Sequence, residues 1–295
     1  MHSEKTVLRL VERIDSDGEL DKKAADELVL AVAEARDAAG RLGCEELMSF
    51  ATSAIRDAVN ADEVLRRVVD ETGVELRVLS GAQEATLTFL AVRRWFGWSA
   101  GRLLVLDIGG GSLEIATGVD EQPELAESLP LGAGRITRTR FAHDPPTRSE
   151  VVSTTAWLEG ELGDLARRVV STGVPDRVVA TSKTFRSLAR LTGAAPSSAG
   201  PRVSRVLTQA GLRQLIAFIS RMSSDDLAQL EGVSPSRAHQ LVAGALVAES
   251  TMRALSLESL EICPWALREG VILQRLDHSD GTEQTALLTG RRRDA

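Results

Sequence analysis

One segment constrains the fold of this chain more than any other. The run Leu103–Ile108 is almost entirely aliphatic and is followed by three consecutive glycines and a serine. Such a run is typical of a strand buried on both faces at the centre of a sheet. A second run, Leu113–Val119, begins after only the four residues 109–112. Consecutive glycines cost backbone entropy, so we expect a close approach or a positive φ at this turn. The segment therefore predicts a tight hairpin at the centre of a sheet.

The same turn predicts a phosphate-binding site. A glycine turn of this kind points successive N–H groups outward and forms a concavity for anions. It is not a Walker loop, because no Gly-Lys-Ser/Thr follows, and it lacks the dinucleotide fingerprint, because Glu114 replaces the third glycine. We therefore predict that Gly109, Gly110, Gly111 and Ser112 bind phosphate oxygens.

The hairpin also predicts a metal site. If residues 109–112 form the loop, Asp107 pairs directly with Glu114, which places their Cβ atoms about 4.5–5.5 Å apart on one face. Two carboxylates at that distance repel each other unless one is protonated or a cation lies between them. Mg²⁺ accepts one or two carboxylates together with substrate phosphates. Asp107 and Glu114 are the predicted Mg²⁺ ligands. The alternative is a hairpin in which Asp107 holds turn amides and Glu114 faces water.

A third acidic residue has two interpretations. Ser80 and Gln83 match a capping box, and Glu84 lies in the first turn of the helix that this box predicts. There its charge would interact favourably with the helix dipole, which is a purely structural role. The other interpretation makes Glu84 a general base that takes a proton from attacking water. The local sequence leaves both interpretations open.

Arg56 belongs to a segment that predicts a helix from about Ala54 to Thr72. A helix start offers unpaired N–H groups to an anion, and arginine can bind a phosphate with two hydrogen bonds. The alternative is an ordinary helix start with an exposed arginine. Two other segments, Gly132–Arg135 and Ser182–Arg186, also place a cation near a predicted helix start.

Predicted strands and helices alternate along the chain, which indicates an α/β architecture with crossover connections. Helices are predicted over residues 20–43, 54–72, 81–95 and 182–191 and after residue 264, and strands over 46–52, 74–79, 103–108, 113–119, 125–131, 177–181 and 257–262. The pattern changes at residues 97–101, so we predict one domain over 1–99 and a second over 100–277. Residues 278–295 are polar and unpatterned and predict a disordered tail.

Composition excludes several classes of protein. The chain is 43% hydrophobic and 26% charged with a net charge of -7, a balance typical of a soluble globular protein. It has neither a secretory signal nor an apolar run long enough to span a membrane. Cys44, Cys263 and the four histidines show no metal-ligand spacing. We therefore expect reduced, buried thiols in a cytoplasmic protein without zinc, nucleic-acid or membrane partners.

Taken together, these segments resemble the exopolyphosphatase/guanosine pentaphosphate phosphohydrolase family. The matching pieces are residues 51–58, 80–85, 107–114, 129–135 and 267–270, in the family's order. The resemblance implies an actin-like ATPase (ASKHA) fold of two ribonuclease-H-like domains with the active site between them. It also implies a homodimeric enzyme that releases terminal phosphate from inorganic polyphosphate or guanosine pentaphosphate.

The resemblance further implies a role for each candidate residue. Asp107 and Glu114 would handle Mg²⁺ or its waters, Glu84 would be the catalytic base, and Arg56 would bind a substrate phosphate across the cleft. The implied reaction is in-line attack on the terminal phosphorus by a water that Glu84 orients. Backbone amides and Mg²⁺ would stabilise the charge on the phosphate oxygens.

Two departures from the family pattern open alternatives. Family members begin with a strand-turn-strand that carries a first phosphate loop, Asp-x-Gly-Ser-Asn-Ser, and this chain has nothing like it. We therefore expect that the first strands of the N-terminal domain are missing, through a misassigned start or a real loss. A loss favours an impaired module that binds nucleotide or polyphosphate without turnover. A sugar or acetate kinase of the same fold is a third possibility.

The second departure is at Thr181–Thr184, where the family pattern has a Gly-Gly-Thr turn and this chain has Thr-Ser-Lys-Thr. Lys183 would supply a point charge in place of amide donors, which would alter substrate preference.

Overall fold

The computed structural model describes residues 6–288, and it describes side chains as far as residue 278. The first part of the chain contains these elements: α1 (Lys22–Arg41), β1 (Phe50–Ala51), α2 (Ser53–Arg56), α3 (Ala61–Thr72), β2 (Arg77–Val78) and α4 (Gly81–Phe96). The second part contains β3 (Leu103–Ile108), β4 (Leu113–Gly118), β5 (Leu125–Leu129), α5 (Ala133–Arg140), α6 (Arg148–Ser171), β6 (Arg177–Ala180), α7 (Ser182–Leu191), β7 (Val206–Thr208), α8 (Gln209–Ile219), α9 (Ser224–Ala228), α10 (Leu241–Ala254), β8 (Ser259–Ile262) and α11 (Leu267–Leu288).

The predicted central strand is confirmed. Strand β3 lies inside a six-stranded sheet of order β5-β4-β3-β6-β8-β7. It pairs antiparallel with β4 and parallel with β6. Strand β3 therefore joins the antiparallel hairpin to the strands that pair in parallel. Before α4, the only strands in the described residues are β1 and β2, which form a separate parallel pair.

Side chains of β3 alternate between two cores. Leu104 and Leu106 belong to the large cluster that includes α5, α6, α7, α8 and α10. Leu103 and Val105 belong to a cluster on the opposite face of the sheet, which includes α4. Because strand side chains alternate with a period of two, Asp107 lies on the α4 face. The fold thus brings the end of β3 and the start of α4 to one place.

Helix α4 packs against α11 with backbone in contact. A Cβ on Gly270 would overlap the carbonyl group of Leu87, so only glycine fits at this crossing. This contact gives a structural reason for the glycine of segment 267–270. The α4 cluster also includes Ala100 and Val179 and crosses the boundary predicted at residue 99. The domain limits 1–99 and 100–277 stay a prediction.

The single helix predicted from Ala54 to Thr72 is wrong, because α2 and α3 are separated by a turn. Asn60 causes the break: its Oδ1 accepts a hydrogen bond from Leu20 N at 2.9 Å, and its Nδ2 donates to Leu20 O at 3.0 Å. The N–H of Val59 donates to Gly18 O at 2.8 Å. These contacts with a distant turn override the local preference for helix.

Other predicted elements differ in length. The strands predicted over 46–52 and 74–79 are reduced to two residues each, and the strand β7 was not predicted. The predicted tail, residues 278–295, is helical as far as Leu288 in α11, and residues 289–295 lie outside the described part. Cys263 is buried as expected, but Cys44 is exposed. No helix in the described residues is both long and apolar enough to cross a membrane.

Candidate active site

The predicted pairing across the hairpin is confirmed. Asp107 lies opposite Glu114 and Ile108 lies opposite Leu113, without a bulge. Gly109 N donates to Ser112 O at 2.9 Å and closes the turn. Asp107 and Glu114 therefore point to the same face of the sheet, towards α4.

The carbonyl groups of the turn face helix α5. Gly109 O accepts from Ala133 N at 3.0 Å, and Gly110 O accepts from Arg135 N at 2.9 Å. Gly111 O accepts from Arg135 Nε at 2.9 Å. The first turn of α5 thus uses the loop carbonyls as its acceptors, which fixes the orientation of the peptide planes. Arg135 therefore binds the loop through both its backbone and its side chain.

The amides of the loop are left for another partner. Within residues 6–288, the N–H groups of Gly110, Gly111 and Ser112 donate no hydrogen bond. Gly110 and Gly111 line a cleft of about 260 Å³, which we call the glycine-loop cleft, together with Ser53 and Arg237. Unpaired amides at such a cleft are the donors that an oxyanion requires.

Close packing, and not backbone angle, explains the third loop glycine, Gly111. None of the three loop glycines has a positive φ. A Cβ on Gly111 would lie 2.5 Å from Ser53 Oγ, and a Cβ on Gly132 would overlap backbone atoms of Gly111 and Ser112. The expected close approach is therefore confirmed for Gly111, whereas a Cβ on Gly109 or Gly110 would make only ordinary contacts, and the expected positive φ is wrong.

The two opposed carboxylates are strongly desolvated. Asp107 accepts a hydrogen bond from Thr181 Oγ1 at 2.6 Å, and Glu114 accepts one from Ser128 Oγ at 2.9 Å. Burial raises the pKa of Asp107 above its usual range. Burial, and then repulsion by Asp107, raise the pKa of Glu114 to about 8. Without a cation, Glu114 therefore holds a proton at neutral pH.

The capping box is confirmed, and it leaves Glu84 available. Gln83 N donates to Ser80 Oγ at 3.2 Å, and Ser80 N donates to Gln83 Oε1 at 2.8 Å. Glu84 is 7% exposed and forms an ion pair with Arg56. Burial raises the pKa of Glu84 although Arg56 opposes this, and the charge of Asp107 adds to the rise. Glu84 thus lies close enough to Asp107 and Glu114 to interact with them electrostatically.

Arg56 is the last residue of the short helix α2. This helix begins just after β1, so the predicted helix start at the end of a strand is confirmed. The binding of an anion by its first amides stays a prediction. The guanidinium contacts Glu84, and it donates to Leu79 O at 3.0 Å and to Asp57 at 3.1 Å. Asp57 also pairs with Arg135. This network connects the N-terminal part of the chain to the glycine loop.

The segment at the end of β6 holds β3 from its other side. Thr184 Oγ1 donates to Ile108 O at 3.1 Å. Ser182 has φ +74°, a left-handed conformation that favours glycine. The glycine of the family pattern at this turn therefore has a conformational reason, which the serine meets at a cost. Lys183 is exposed.

Sequence reasoning missed several residues that shape the site. Thr181 and Ser128 donate hydrogen bonds to the hairpin carboxylates. In the sequence, only their positions at or near strand ends could have indicated this role. Asp57 stood beside Arg56 without an assigned role. Arg237 gave no signal, because it lies in a distant 3-10 turn, Pro235–Gln240, that only the fold brings to the loop.

The residues present fit the predicted metal ion. In the described residues, no group of three or more His, Cys, Asp or Glu side chains is arranged to hold a metal. Mg²⁺ needs only one or two carboxylates when substrate phosphates complete its shell. Asp107 and Glu114 supply two opposed carboxylates whose pKa values are raised by burial, and a cation between them would stabilise their ionised forms. Their role as ligands stays a prediction.

Comparison with known proteins identifies the family of this chain. The chain matches the model of the Ppx/GppA phosphatase family over residues 1–279. It is 63% identical over 283 residues to Exopolyphosphatase 1 of Mycobacterium leprae, which covers 96% of this chain and 84% of that protein. Exopolyphosphatase 1 of Mycobacterium tuberculosis is also 63% identical, over 96% of this chain and 82% of its own length.

Solved structures share the fold. The Ppx/GppA family member from Aquifex aeolicus superposes with a TM-score of 0.74 at 26% identity, over 93% of this chain and 88% of that one. An exopolyphosphatase from Cytophaga hutchinsonii has a TM-score of 0.80 at 22% identity, over 89% and 85% of the two chains. The family model and the mycobacterial relatives show that this chain belongs to the Ppx/GppA phosphatase family, as its motifs indicated.

Proposed function

We propose that this protein is an exopolyphosphatase-type hydrolase that releases terminal phosphate from inorganic polyphosphate. The observation that carries the proposal is the set of unpaired amides of Gly110, Gly111 and Ser112 beside the buried pair Asp107 and Glu114. The names of the mycobacterial relatives support this substrate. An amide cradle next to acidic groups suits a phosphoryl group better than a neutral substrate.

Each residue then has a defined task. The loop amides bind oxygens of the terminal phosphate and stabilise the charge that develops on them during transfer. Arg56 contributes a second, mobile donor once it leaves Glu84. Glu84 orients the attacking water and accepts its proton, a role that benefits from a pKa raised towards neutrality.

Asp107 and Glu114 would hold Mg²⁺. When bound, Mg²⁺ supplies positive charge to phosphate oxygens and so favours attack at phosphorus. The two carboxylates then remain ionised side by side, because the cation removes their repulsion. Thr181 and Ser128 keep the carboxylates oriented through the hydrogen bonds described above.

Further parts of the proposal follow the family resemblance. Guanosine pentaphosphate is a second substrate, because it ends in the same phosphate anhydride. The fold is of the actin-like ATPase type, and the enzyme is a cytoplasmic homodimer.

A binding module without turnover is the second candidate. The ion pair between Arg56 and Glu84 favours it, because this pair engages both the proposed base and a proposed phosphate ligand. In such a module the glycine loop would still bind phosphate, but no water would be activated.

The deciding experiment measures phosphate release from polyphosphate with Mg²⁺ present. The variant Glu84→Gln should lower kcat by about 10²–10⁴-fold, the usual contribution of a general base. The matched control is Glu34→Gln, which neutralises an exposed carboxylate on α1. Equal release by wild type and Glu84→Gln removes the base assignment. Tight polyphosphate binding by wild type without any release supports the binding module.

A further inference from the structure

A second cavity adjoins the glycine-loop cleft. It has a volume of about 320 Å³ and lies between α7, the loop at residues 195–197 and the 3-10 turn Pro235–Gln240. We call it the α7 cavity. Its charged lining consists of Lys183, Arg186, Arg190, Arg205, Arg237 and Glu231. Five cations against one acid make this wall strongly positive.

Part of this positive charge is already engaged within the protein. Arg190 pairs with Glu231 at 2.7 Å. Arg205 donates to backbone carbonyl groups only, among them Ala195 O at 2.8 Å and Pro196 O at 2.6 Å. These two arginines build the wall of the cavity, and they do not supply the excess charge.

Two guanidinium groups remain without an acidic partner. Arg186 donates through Nε to Ser182 O at 3.0 Å, and no carboxylate in the described part of the chain lies within ion-pair distance of it or of Arg237. Arg237 is half-buried, and this burial lowers the pKa of its guanidinium. The charges of Asp107 and Glu12 oppose this shift in pKa, and that of Arg186 adds to it. Two guanidinium groups that share a partly buried site without a directly paired carboxylate are stabilised when an anion joins them.

The two cavities are adjacent and share part of their wall. Arg237 and Gln240 line both the glycine-loop cleft and the α7 cavity. Both Arg186 and Arg237 lie near enough to Asp107 for their charges to lower its pKa against the effect of burial. A path of positive charge therefore runs from the glycine loop, past Arg237, to Arg186.

The opening on the other side of the loop has a different character. It is lined by Arg56, Ser112 and Ser128, but also by Asp57 and Glu127. Arg56 is engaged there by Glu84 and Asp57. A polyanion that leaves the loop in this direction would meet carboxylates, whereas the α7 cavity offers cations.

We infer that the phosphates behind the terminal one pass Arg237 and enter the α7 cavity, where Arg186 binds them. This inference rests on the proposed function and adds the direction of the substrate chain and a subsite for its distal phosphates. The ligand is a linear chain of phosphates, whether it belongs to polyphosphate or to a guanosine derivative. Arg186 is thus a residue that discriminates substrates by length.

The test compares substrates of increasing length. Phosphate release from pyrophosphate, tripolyphosphate, tetrapolyphosphate and guanosine pentaphosphate is measured for wild type, Arg186→Gln and Arg186→Lys. The charge-matched control is Arg213→Gln, on an exposed position of α8. The variant Lys183→Gln removes a second cavity charge and serves if Arg186→Gln does not fold. Binding of orthophosphate and tetrapolyphosphate without Mg²⁺, followed by calorimetry, gives a readout independent of turnover.

We expect Arg186→Gln to lower kcat/KM for tetrapolyphosphate about tenfold while leaving pyrophosphate nearly unchanged, because one charge-assisted contact to a distal phosphate is lost. Arg186→Lys should recover part of the loss, and tetrapolyphosphate binding should weaken in parallel. An equal effect on all lengths, or none, overturns the inference and leaves the proposed function standing. A loss confined to guanosine pentaphosphate also overturns it, because the cavity then holds the nucleoside. A wild type that neither binds nor cleaves any phosphate chain overturns both.

Discussion

Asp107 and Glu114 face each other directly across the β3–β4 hairpin. Asp107 accepts from the hydroxyl of Thr181, and Glu114 accepts from those of Ser128 and Ser112. These hydroxyl donors are little compensation for two opposed carboxylates in a desolvated site. The pair therefore stores an electrostatic cost in the metal-free protein, and this cost can be measured as stability.

Glu114→Gln should stabilise the protein in EDTA at alkaline pH. The folded-state pKa of Glu114, about 8, lies above its ordinary value of 4.5. The folded state thus holds a proton that the unfolded state releases, and stability falls as pH rises from about 4.5 to about 8. Glutamine removes this dependence, so the gain should be on the order of a few kcal/mol at pH 8 and vanish near pH 4. Urea unfolding across this range checks it, and a gain independent of pH would contradict it.

Mg²⁺ should reverse the order of stability. A cation that binds only the folded protein raises Tm by mass action. Wild type should gain several degrees in millimolar Mg²⁺, and Glu114→Gln should gain much less because one ligand has lost its charge. Thermal unfolding with increasing Mg²⁺ measures the effect. An equal shift in both proteins would place the ion elsewhere.

Gly132→Ala should disrupt the glycine loop. The new Cβ would overlap backbone atoms of Gly111 and Ser112, which cannot move aside as a flexible side chain can. We expect a loss of about 2–3 kcal/mol in the free energy of unfolding, typical of overpacking, and a large loss of phosphate binding. Gly160→Ala is the matched control, because its Cβ meets nothing within 4 Å, and alanine in a helix should stabilise α6 by about 1 kcal/mol. Similar effects of the two substitutions would refute the close-packing argument.

The hairpin could be predicted from sequence because every constraint on it is local. A short turn between two aliphatic runs sets the register, and the period of two then sets the faces of Asp107 and Glu114. The break at Asn60 could not be predicted, because its partner Leu20 lies far away in the chain. Helix preference is weak enough for two such hydrogen bonds to override it.

The candidate site divides in the same way. Glu84 had two local interpretations, and the structure confirms the capping box of Ser80 and Gln83 beside it, while the role of Glu84 as a base stays a prediction. Asp57 contacts its neighbour Arg56 and also Arg135, which approaches from the other part of the chain. Arg237 reaches the glycine-loop cleft from the turn Pro235–Gln240, which is distant in the sequence. Contacts between residues so far apart in the chain produce no recognisable pattern in the sequence.

Ser182 offers a direct test of the turn that replaces the family's glycines. Its φ of +74° costs any residue with a Cβ about 1–2 kcal/mol. Ser182→Gly should therefore be more stable than Ser182→Ala by about that amount, although both variants lose the hydroxyl that accepts from Phe185 N. Urea unfolding of the two variants gives the difference. If alanine proves as stable as glycine, the left-handed conformation at this turn is not present in solution.

Glu150→Gln should weaken the protein in a pH-dependent way. The carboxylate of Glu150 accepts from Ala142 N and Thr147 N, both at 2.6 Å, and these backbone hydrogen bonds hold its pKa at about 2. Because this folded-state value lies below the ordinary 4.5, the stabilisation is complete above about pH 4.5 and is lost as pH falls towards 2. The urea midpoint of Glu150→Gln should thus lie below that of wild type at pH 7, and the gap should narrow steadily as pH falls from 4.5 towards 2. Glu161→Gln, at an exposed position of α6, should show no such gap. A gap that persists unchanged at pH 3 would mean that shape, and not charge, makes Glu150 the cap of this helix.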